Sequence, residues 1–267
     1  MKLGFIGAGN MGGAIIRGFI KSGKVKAQDI YVTRKSKDAL KGMSSELGIT
    51  ACENSCDIAE ECDVIFMAVK PVMFNDVINE IKNNVKKNCP LVVSMAAGLT
   101  TESIKAMFGF DLRIVRIMPN INAEILMSAT SVCKNETASN EDIEVIKDLF
   151  SSIGLATEVN ESLFPVFSAI AGCSPAYVYT FIDALARGAQ KMGMNKQQAL
   201  EIAATAVVGS AEMYLKSNEH PQALVDKVCS PGGTTIEGLC TLEEYKFTAG
   251  IVKAVENIVN KDKALNK

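Results

Sequence analysis

The sequence has 267 residues, which corresponds to one or two domains of roughly 100–200 residues each. Hydrophobic residues make up 48% and charged residues 22%, an ordinary balance for a soluble globular protein. The net charge of -2 gives no global attraction to nucleic acid or anionic lipid, so we expect neither as a partner. The single histidine, His220, excludes a multi-histidine metal site.

The cysteines and the start of the chain indicate the compartment. Eight cysteines are scattered without a CxxC pair, so we predict reduced thiols and no metal site. An apolar strand pattern follows Met1 almost at once, and no signal-peptide pattern precedes it. The longest apolar run, residues 175–185, contains Asp183 and is shorter than the roughly 20 residues of a membrane span. We therefore expect a cytoplasmic protein that does not cross a membrane.

Short apolar runs alternate with amphipathic runs over the first 160 residues. The apolar runs predict strands at residues 3–6, 30–33, 64–69, 91–95 and 114–117. The amphipathic runs predict helices at residues 10–21, 36–47, 72–85 and 139–153. Ser36 is a candidate N-cap, and Ser139 with Asp142 resembles a capping box. This alternation predicts an α/β fold whose N-terminal domain, residues 1–160, is a Rossmann-like, doubly wound parallel sheet.

The second part of the chain, residues 161–267, has no convincing strand pattern. We predict helices at residues 163–171, 175–192, 196–215, 221–228 and 235–259. Several of these helices are apolar on nearly every side, and such helices need neighbours on every side. A second copy of the chain would supply them, so we predict an all-helical dimerisation domain. Asp183 lies within an apolar helix, and we expect it to hydrogen-bond across that interface.

A GxGxxG turn lies between the first strand and the first helix. Gly7 permits the tight turn, Gly9 lets a pyrophosphate approach the backbone, and Gly12 lets the helix pack on the strand. Asn10 and Met11 begin the helix whose N-terminal N–H groups would face the phosphates. The strand–turn–helix context predicts a dinucleotide site here rather than a turn without a ligand.

The end of the second strand indicates which dinucleotide binds. An NAD-binding protein usually places an acidic residue there for the ribose 2′-hydroxyl. This chain has Thr33, Arg34 and Lys35, followed by Ser36. Two cations and two hydroxyls suit a 2′-phosphate, so we predict NADP(H) as the preferred cofactor, with NAD(H) as the second choice. The alternative is that Arg34 and Lys35 form a solvated turn.

Two further strand ends carry candidate cofactor residues. Ala68, Val69, Lys70 and Pro71 follow an apolar strand, and ligands bind at the carboxyl ends of such strands. Lys70 is a candidate for a ribose contact, although a surface lysine in a turn is an equal alternative. Asn120 follows the strand at residues 114–117, and we expect it near the nicotinamide carboxamide.

A polar, glycine-containing loop at residues 230–235 precedes another predicted helix. Ser230, Gly232, Gly233, Thr234 and Thr235 combine hydroxyls, a pliable backbone and a helix N-terminus, which together form a cradle for an anion. The loop is far along the chain from the glycine turn, so a second anion, such as a substrate carboxylate, is plausible. A plain N-cap at Thr234 or Thr235 is the alternative.

These motifs together resemble the pyrroline-5-carboxylate reductase family. The 228–236 segment, VCSPGGTTI, is the specific element, whereas the glycine turn is shared by many reductases. Further segments match the family in order at residues 4–15, 68–71, 116–120, 175–177 and 191–193. The resemblance covers essentially the whole chain.

The resemblance implies a Rossmann domain followed by a helical domain that interlocks with a second subunit, in a homodimer that can assemble further. It implies reduction of the small molecule 1-pyrroline-5-carboxylate to L-proline with NAD(P)H, at a site on the dimer interface. By position, Ser230 and the N–H groups of Gly233 and Thr234 would hold the carboxylate. The Thr235 hydroxyl would lie near the ring nitrogen and is the catalytic candidate.

The sequence departs from the family pattern at several positions: Ile121, Ser174, Arg187 and Thr205. Two alternatives therefore stay open, namely a paralogous reductase of a related cyclic imine and a non-catalytic NADP(H)-binding regulatory protein. A β-hydroxyacid dehydrogenase is disfavoured, because that class uses a lysine early in its helical domain and residues 160–190 contain none.

Overall fold

The computed structural model of the protein describes residues 1–265. They form two compact units. The first is Met1–Gly172 with the end of the last helix, from Ile258, and the second is Cys173–Asn257. The first unit thus continues past the boundary predicted between residues 160 and 161. As a limit between functional domains, that boundary stays a prediction.

One sheet organises the first unit. Within Met1–Gly172 its strands are β1 (Leu3–Ile6), β2 (Ile30–Thr33), β3 (Thr50–Ala51), β4 (Val64–Met67), β5 (Leu91–Ser94), β6 (Ile114–Met118), β7 (Ser128–Lys134) and β8 (Gly154–Glu158). The spatial order is β3-β2-β1-β4-β5-β6-β7-β8. The pairs are parallel except that of β6 with β7, so β7 and β8 run opposite to the other six strands. Because β1 lies between β2 and β4, the strand order reverses there, and α/β sheets bind ligands outside the carboxyl ends of strands at such a reversal.

Helices connect the strands of this unit: α1 (Asn10–Lys21), α2 (Lys37–Leu47), α3 (Ser55–Glu61), α4 (Phe74–Asn88), α5 (Thr101–Phe108), α6 (Asn140–Ser151) and α7 (Phe164–Phe167). The Ser36 hydroxyl accepts a hydrogen bond from the Ala39 N–H and caps α2, as predicted. Ser139 and Asp142 form the predicted reciprocal capping box of α6. The predicted Rossmann-like, doubly wound architecture is confirmed.

Two apolar layers cover the two faces of the sheet. Alternate residues of β4 enter opposite layers, with Phe66 on one face and Ile65 and Met67 on the other. Phe66 stacks on Phe5 of β1 with ring centroids 4.5 Å apart, and both rings are fully buried. Burying each such side chain contributes roughly 1.5–3 kcal/mol. The strand ends that carry the candidate site are thereby fixed on a rigid sheet.

The described chain after Cys173 is helical: α8 (Ser174–Lys191), α9 (Lys196–Ser217), α10 (Pro221–Val228), α11 (Thr234–Glu244) and α12 (Phe247–Leu265). The prediction of one helix over residues 235–259 is wrong, because this part of the chain forms two helices. They separate at Tyr245 and Lys246, and Lys246 has a φ of 61°, a left-handed conformation that cannot continue a helix.

The second unit leaves most of its apolar side chains uncovered. Among residues 173–257, the buried side chains are Ala186, Ala199 and Ala203. Tyr179 and Leu215 are 60% and 71% exposed. By length and composition, Glu161–Lys191 is also apolar enough to cross a membrane, although no membrane-spanning segment was predicted from the sequence. Apolar side chains exposed to this extent need to be buried against something other than their own chain.

Asp183 is paired within its own chain, and the expected hydrogen bond across a subunit interface stays a prediction. Its carboxylate lies 2.6 Å from Arg187 Nε and 3.3 Å from Lys196 Nζ. The hydrogen bond from Arg187, followed by that from Lys196, holds the pKa of Asp183 below its usual value. The residue that departs from the family pattern at position 187 thus supplies the partner that this acid requires.

Candidate active site

The glycine turn, residues 7–12, begins at the carboxyl end of β1. Gly7 has a φ of 92°, in the left-handed region that favours glycine, and its N–H donates to the Thr33 carbonyl (2.9 Å). A Cβ on Gly7 would lie 2.8 Å from the Ala68 carbonyl oxygen. Backbone conformation and close approach both require glycine at this position.

Gly9 and Gly12 differ in what requires them. A Cβ on Gly12 would lie 3.1 Å from the Gly7 carbonyl oxygen and 3.2 Å from Ala68 Cβ, so Gly12 lets α1 pack against the turn after β4. A Cβ on Gly9 would have no protein atom within 4 Å. The fold therefore does not require a glycine at position 9, whereas a phosphate approaching the backbone would.

The N-terminus of α1 is open to an anion. Gly9 is its N-cap and offers no side chain, and the first turn contains no acidic residue. Its N–H groups and the helix dipole therefore suit a pyrophosphate, and the residues present fit a dinucleotide. Asn10 is exposed, whereas Met11 is half-buried and packs against the sheet core.

The end of β2 presents two cations without partners. Thr33 is buried and Arg34 half-buried, while Lys35 is exposed. Over residues 1–265, neither Arg34 nor Lys35 has an ion pair or a hydrogen bond from its side chain. Ser36 is engaged as the cap of α2, although its hydroxyl remains free to donate.

A cleft of about 280 Å³ lies beside this strand end, between the glycine turn and α3. Glu80 lines it and accepts hydrogen bonds from the Ser55 N–H (3.2 Å) and hydroxyl (3.3 Å), which fixes the N-terminus of α3. Arg34 and Lys35 line the same cleft. Two carboxylates lie in its lining as well, namely Glu80, which is engaged with Ser55, and Glu53.

Ala68, Val69, Lys70 and Pro71 leave β4 alongside the glycine turn. The Ala68 N–H donates to the Ile6 carbonyl (2.9 Å), which extends the pairing of β1 and β4 to the ligand-binding edge. Lys70 is exposed and precedes a 3₁₀ turn, Pro71–Met73, rather than the start of a regular helix. The structure therefore brings the predicted first-unit residues at three strand ends to one edge of the sheet.

The side chain of Asn120 is buried and makes a hydrogen bond within the first unit. It is 5% exposed, and its Nδ2 donates to the Ala171 carbonyl (3.0 Å). Its Oδ1 has no hydrogen-bond partner among the described residues. The expected position near a nicotinamide carboxamide stays a prediction.

A buried charge cluster around Arg116 of β6 was not predicted from the sequence. Arg116 is 4% exposed and lies over the Phe164 ring, with its guanidinium carbon 4.6 Å from the centroid. Its Nη1 donates to Glu161 Oε1 (3.1 Å), and the Glu161 carboxylate also accepts from the N–H and hydroxyl of Thr101. No local sequence pattern predicts an ion pair between residues 45 positions apart. The lone arginine inside the apolar strand was the one signal that a buried charge, and hence a partner for it, is present.

The loop at residues 230–235 belongs to the second unit. Gly232 has a φ of 68°, and Gly233, not Thr234 or Thr235, is the N-cap of α11. That cap makes no side-chain hydrogen bond, so the alternative of a plain threonine cap is wrong. Ser230, Thr234 and Thr235 are exposed. The result is an uncapped helix N-terminus flanked by three hydroxyls.

Other titratable groups are engaged elsewhere. The His220 Nδ1 accepts a hydrogen bond from the Gln222 N–H and caps α10, which agrees with a structural role. Burial raises the pKa of the Cys62 and Cys133 thiols to about 12, so both are inert at neutral pH. Residues 1–265 contain no group of three or more histidine, cysteine or acidic side chains placed to hold a metal ion.

Family models match both parts of the chain. Residues 2–98 match the model described as NADP oxidoreductase, coenzyme F420-dependent. Residues 161–265 match the model for pyrroline-5-carboxylate reductase dimerisation. The dimerisation match covers the helical region whose apolar side chains are exposed in a single copy.

Relatives match over the full length. Pyrroline-5-carboxylate reductase of Escherichia coli is 42% identical over 266 residues, covering 100% of this chain and 98% of that protein. The crystal structure of Plasmodium falciparum pyrroline carboxylate reductase with NADP bound has a TM-score of 0.91 at 31% identity, covering 100% of this chain and 98% of that one. The Coxiella burnetii enzyme has a TM-score of 0.92 at 32% identity, with the same coverage.

Proposed function

The chain belongs to the pyrroline-5-carboxylate reductase family, and from that premise we propose how its residues reduce 1-pyrroline-5-carboxylate to L-proline with NAD(P)H. The observation that carries the proposal is the uncapped N-terminus of α11 behind Ser230. A helix N-terminus with free N–H groups and adjacent hydroxyls binds a carboxylate. The substrate of this reaction carries one beside its imine.

The chemistry needs little acid–base machinery. The imine of the substrate, once protonated on nitrogen, is electrophilic at C5. Bound NADPH supplies the hydride that C5 accepts, while the nitrogen keeps its proton and becomes the secondary amine of proline. The protein then has only to bind the substrate and the cofactor and to orient the two for hydride transfer. A chain whose one histidine caps a helix is adequate for this task.

The substrate carboxylate is proposed to bind at Ser230 and the first turn of α11. The structure changes one detail of the expected contacts, because the Gly233 N–H donates to the Ser230 carbonyl (3.0 Å) and is already used. The N–H groups of Thr234 and Thr235 have no protein partner over the described chain, and they replace it. Gly232, with its positive φ, shapes the turn.

Thr235 is proposed as the residue that acts on the ring nitrogen. Its side chain is exposed on the first turn of α11, one residue beyond the proposed carboxylate contact at Thr234. A hydroxyl both donates and accepts hydrogen bonds, so it can relay a proton to the imine nitrogen and then orient the iminium. This assignment makes Thr235 a catalytic residue.

The cofactor is proposed to bind at the glycine turn. Its pyrophosphate would meet the N-terminus of α1 at Gly9, Asn10 and Met11, with Gly7 and Gly12 shaping the turn. Beyond them, Ala68, Val69, Lys70 and Pro71 would border the nicotinamide half. Thr33, Arg34 and Lys35 are proposed to hold the 2′-phosphate, which makes NADPH the preferred donor and leaves NADH usable.

The assembly is proposed to be a homodimer through the helical region, which can build a higher oligomer. The dimerisation match over residues 161–265 supports this, and the exposed apolar faces of α8 and α9 fit burial against a second copy. The same burial accounts for the apolar stretch Glu161–Lys191 without a membrane. We propose a cytoplasmic location and no nucleic-acid partner.

A cofactor-oxidation assay tests the proposal. Purified protein is mixed with 1-pyrroline-5-carboxylate and either NADPH or NADH, and proline is identified by mass spectrometry. We expect proline with both cofactors and a higher kcat/KM with NADPH. NADPH binding without oxidation would instead favour a regulatory protein, and turnover of only a larger cyclic imine would favour a paralogous reductase.

A further inference from the structure

Two buried polar side chains, one in β6 and one just beyond it, hold the segment that ends the first unit. Arg116 lies in β6 (Ile114–Met118), and Asn120 follows the end of that strand by two residues in an extended conformation. Arg116 reaches Glu161 at the start of the 161–172 segment, and Asn120 reaches Ala171 at its end. The segment is thus held at one end by β6 and at the other by the residues directly after it.

Between these contacts the segment is held by apolar packing. Phe164, Phe167 and Ala171 form a small cluster with Met118 and Cys133 of β6 and β7. The last five residues, Ser168–Gly172, form a π-helix, an uncommon conformation that is enriched at functional sites. The Asn120 amide donates to a carbonyl inside that turn.

The hydrogen bonds of Asn120 point to this contact. A buried amide costs free energy unless its polar atoms are paired, and the Nδ2 to Ala171 bond is the only pairing that the side chain makes within residues 1–265. Oδ1 has no partner among the described residues, so the bond to Ala171 is the contact that fixes this side chain within the first unit. The neighbouring Asn122 is half-buried and its side chain makes no hydrogen bond in the described chain.

We infer that Asn120 is a positioning residue, which fixes the π-helical turn Ser168–Gly172 and hence the point where the chain leaves the first unit for α8. This inference rests on the proposed function, in which the cofactor belongs to the first unit and the substrate loop to the second. Hydride transfer needs the reacting atoms within near contact, and a misplacement of ~1 Å costs about a hundredfold in rate. Loosening this turn would therefore lower kcat without weakening cofactor binding.

The test compares Asn120→Ala and Asn120→Asp with the matched control Asn122→Ala. Asn120→Asp keeps the size of the side chain but replaces the donor with an acceptor, so it is available if Asn120→Ala fails to fold. Three quantities are measured: the NADPH Kd by fluorescence, kcat with 1-pyrroline-5-carboxylate, and amide hydrogen exchange of peptides covering residues 164–174.

For the Asn120 variants we expect kcat to fall about tenfold to a hundredfold, an unchanged NADPH Kd, and faster exchange in residues 168–172. Asn122→Ala is expected to behave like the wild type. A weakened NADPH Kd with unchanged exchange would overturn the inference and return Asn120 to the cofactor site. Faster exchange with unchanged kcat would also overturn it. Failure of the wild type to reduce the substrate would refute the proposed function instead, and the binding and exchange results would still show what Asn120 holds.

Discussion

Arg116 Nη1 lies 3.1 Å from Glu161 Oε1. The arginine side chain is 4% exposed and the glutamate side chain is 27% exposed. The same carboxylate accepts hydrogen bonds from the Thr101 N–H (2.8 Å) and hydroxyl (3.0 Å) at the start of α5. One acid therefore neutralises a buried cation, caps a helix and anchors the 161–172 segment.

Removing this carboxylate is predicted to destabilise the protein strongly. Glu161→Ala leaves Arg116 buried without a counter-charge, which costs about 3 kcal/mol, and Glu161→Gln costs less because the amide oxygen still accepts hydrogen bonds. Urea denaturation followed by circular dichroism measures the change. Glu158→Ala, which removes an exposed acid three residues earlier, is the control. Equal stabilities of Glu161→Ala and this control would contradict the buried ion pair.

The glycine turn gives a prediction that separates folding from binding. Gly9→Ala adds a methyl group with no protein atom within 4 Å, so we expect the thermal midpoint to stay near that of the wild type while NADPH affinity falls. Gly7→Ala forces a φ of 92° on alanine and places its Cβ against the Ala68 carbonyl, which we expect to cost about 2 kcal/mol or more. Thermal unfolding and NADPH titration of both variants test this. Undiminished NADPH affinity in Gly9→Ala would rule out a phosphate at that position.

Arg34 is predicted to discriminate between the two nicotinamide cofactors. Replacing it with alanine removes an unpaired cation at the end of β2, and a hydrogen bond to a charged group contributes about 1.5–3 kcal/mol. We expect KM for NADPH to rise about tenfold or more, while KM for NADH stays near its original value. Lys41→Ala, on the neighbouring helix α2, is the control for net charge. Equal increases for both cofactors would mean that Arg34 does not contact the 2′-phosphate.

The buried thiols predict a pH dependence of stability. Desolvation raises the pKa of Cys62 and Cys133 from 9.0 to about 12 in the folded protein. Since the unfolded chain ionises these thiols first, their contribution to stability is complete below about pH 9 and is lost as the pH rises toward about 12.

Urea denaturation at increasing pH measures this loss of stability, and alkylation tests the burial that causes it. At pH 9 we expect iodoacetamide to modify the exposed Cys89 in the native protein and to spare Cys62 and Cys133. Peptide mass spectrometry assigns the sites, and the urea-unfolded protein, in which every thiol reacts, is the control. Native-state modification of Cys62 at the rate of Cys89 would show that it is not buried.

The regular elements of the fold were predictable because their signals are local. The run LGFI and the amphipathic helix after it give β1 and α1 with their observed bounds, and Ser139 with Asp142 marks the start of α6. Strand β7, with the sequence SATSVCK, was not predicted because it contains no apolar run, which is the signal used for the other strands. The two residues of β3 are too few for any periodicity.

The sequence predicts those site residues whose role depends on the residue type and its local context alone. Gly7 and Gly12 are explained by backbone geometry, and the sequence alone identified both of them. The roles of Asn120 and Glu161 were not accessible, because their partners lie 51 and 45 residues away along the chain. Nothing local distinguishes an asparagine that binds a cofactor from one that binds a carbonyl of its own chain.

Transfer of deuterium from the nicotinamide to the product tests the central claim most directly. With NADPH deuterated at the transferable C4 position, the wild type is predicted to form L-proline with one deuterium at C5. In Thr235→Ala the transfer should slow by about a hundredfold, the low end expected for loss of a proton-handling group, while the NADPH Kd stays unchanged. Deuterium transfer at the wild-type rate in Thr235→Ala, or proline without the label, would contradict the account.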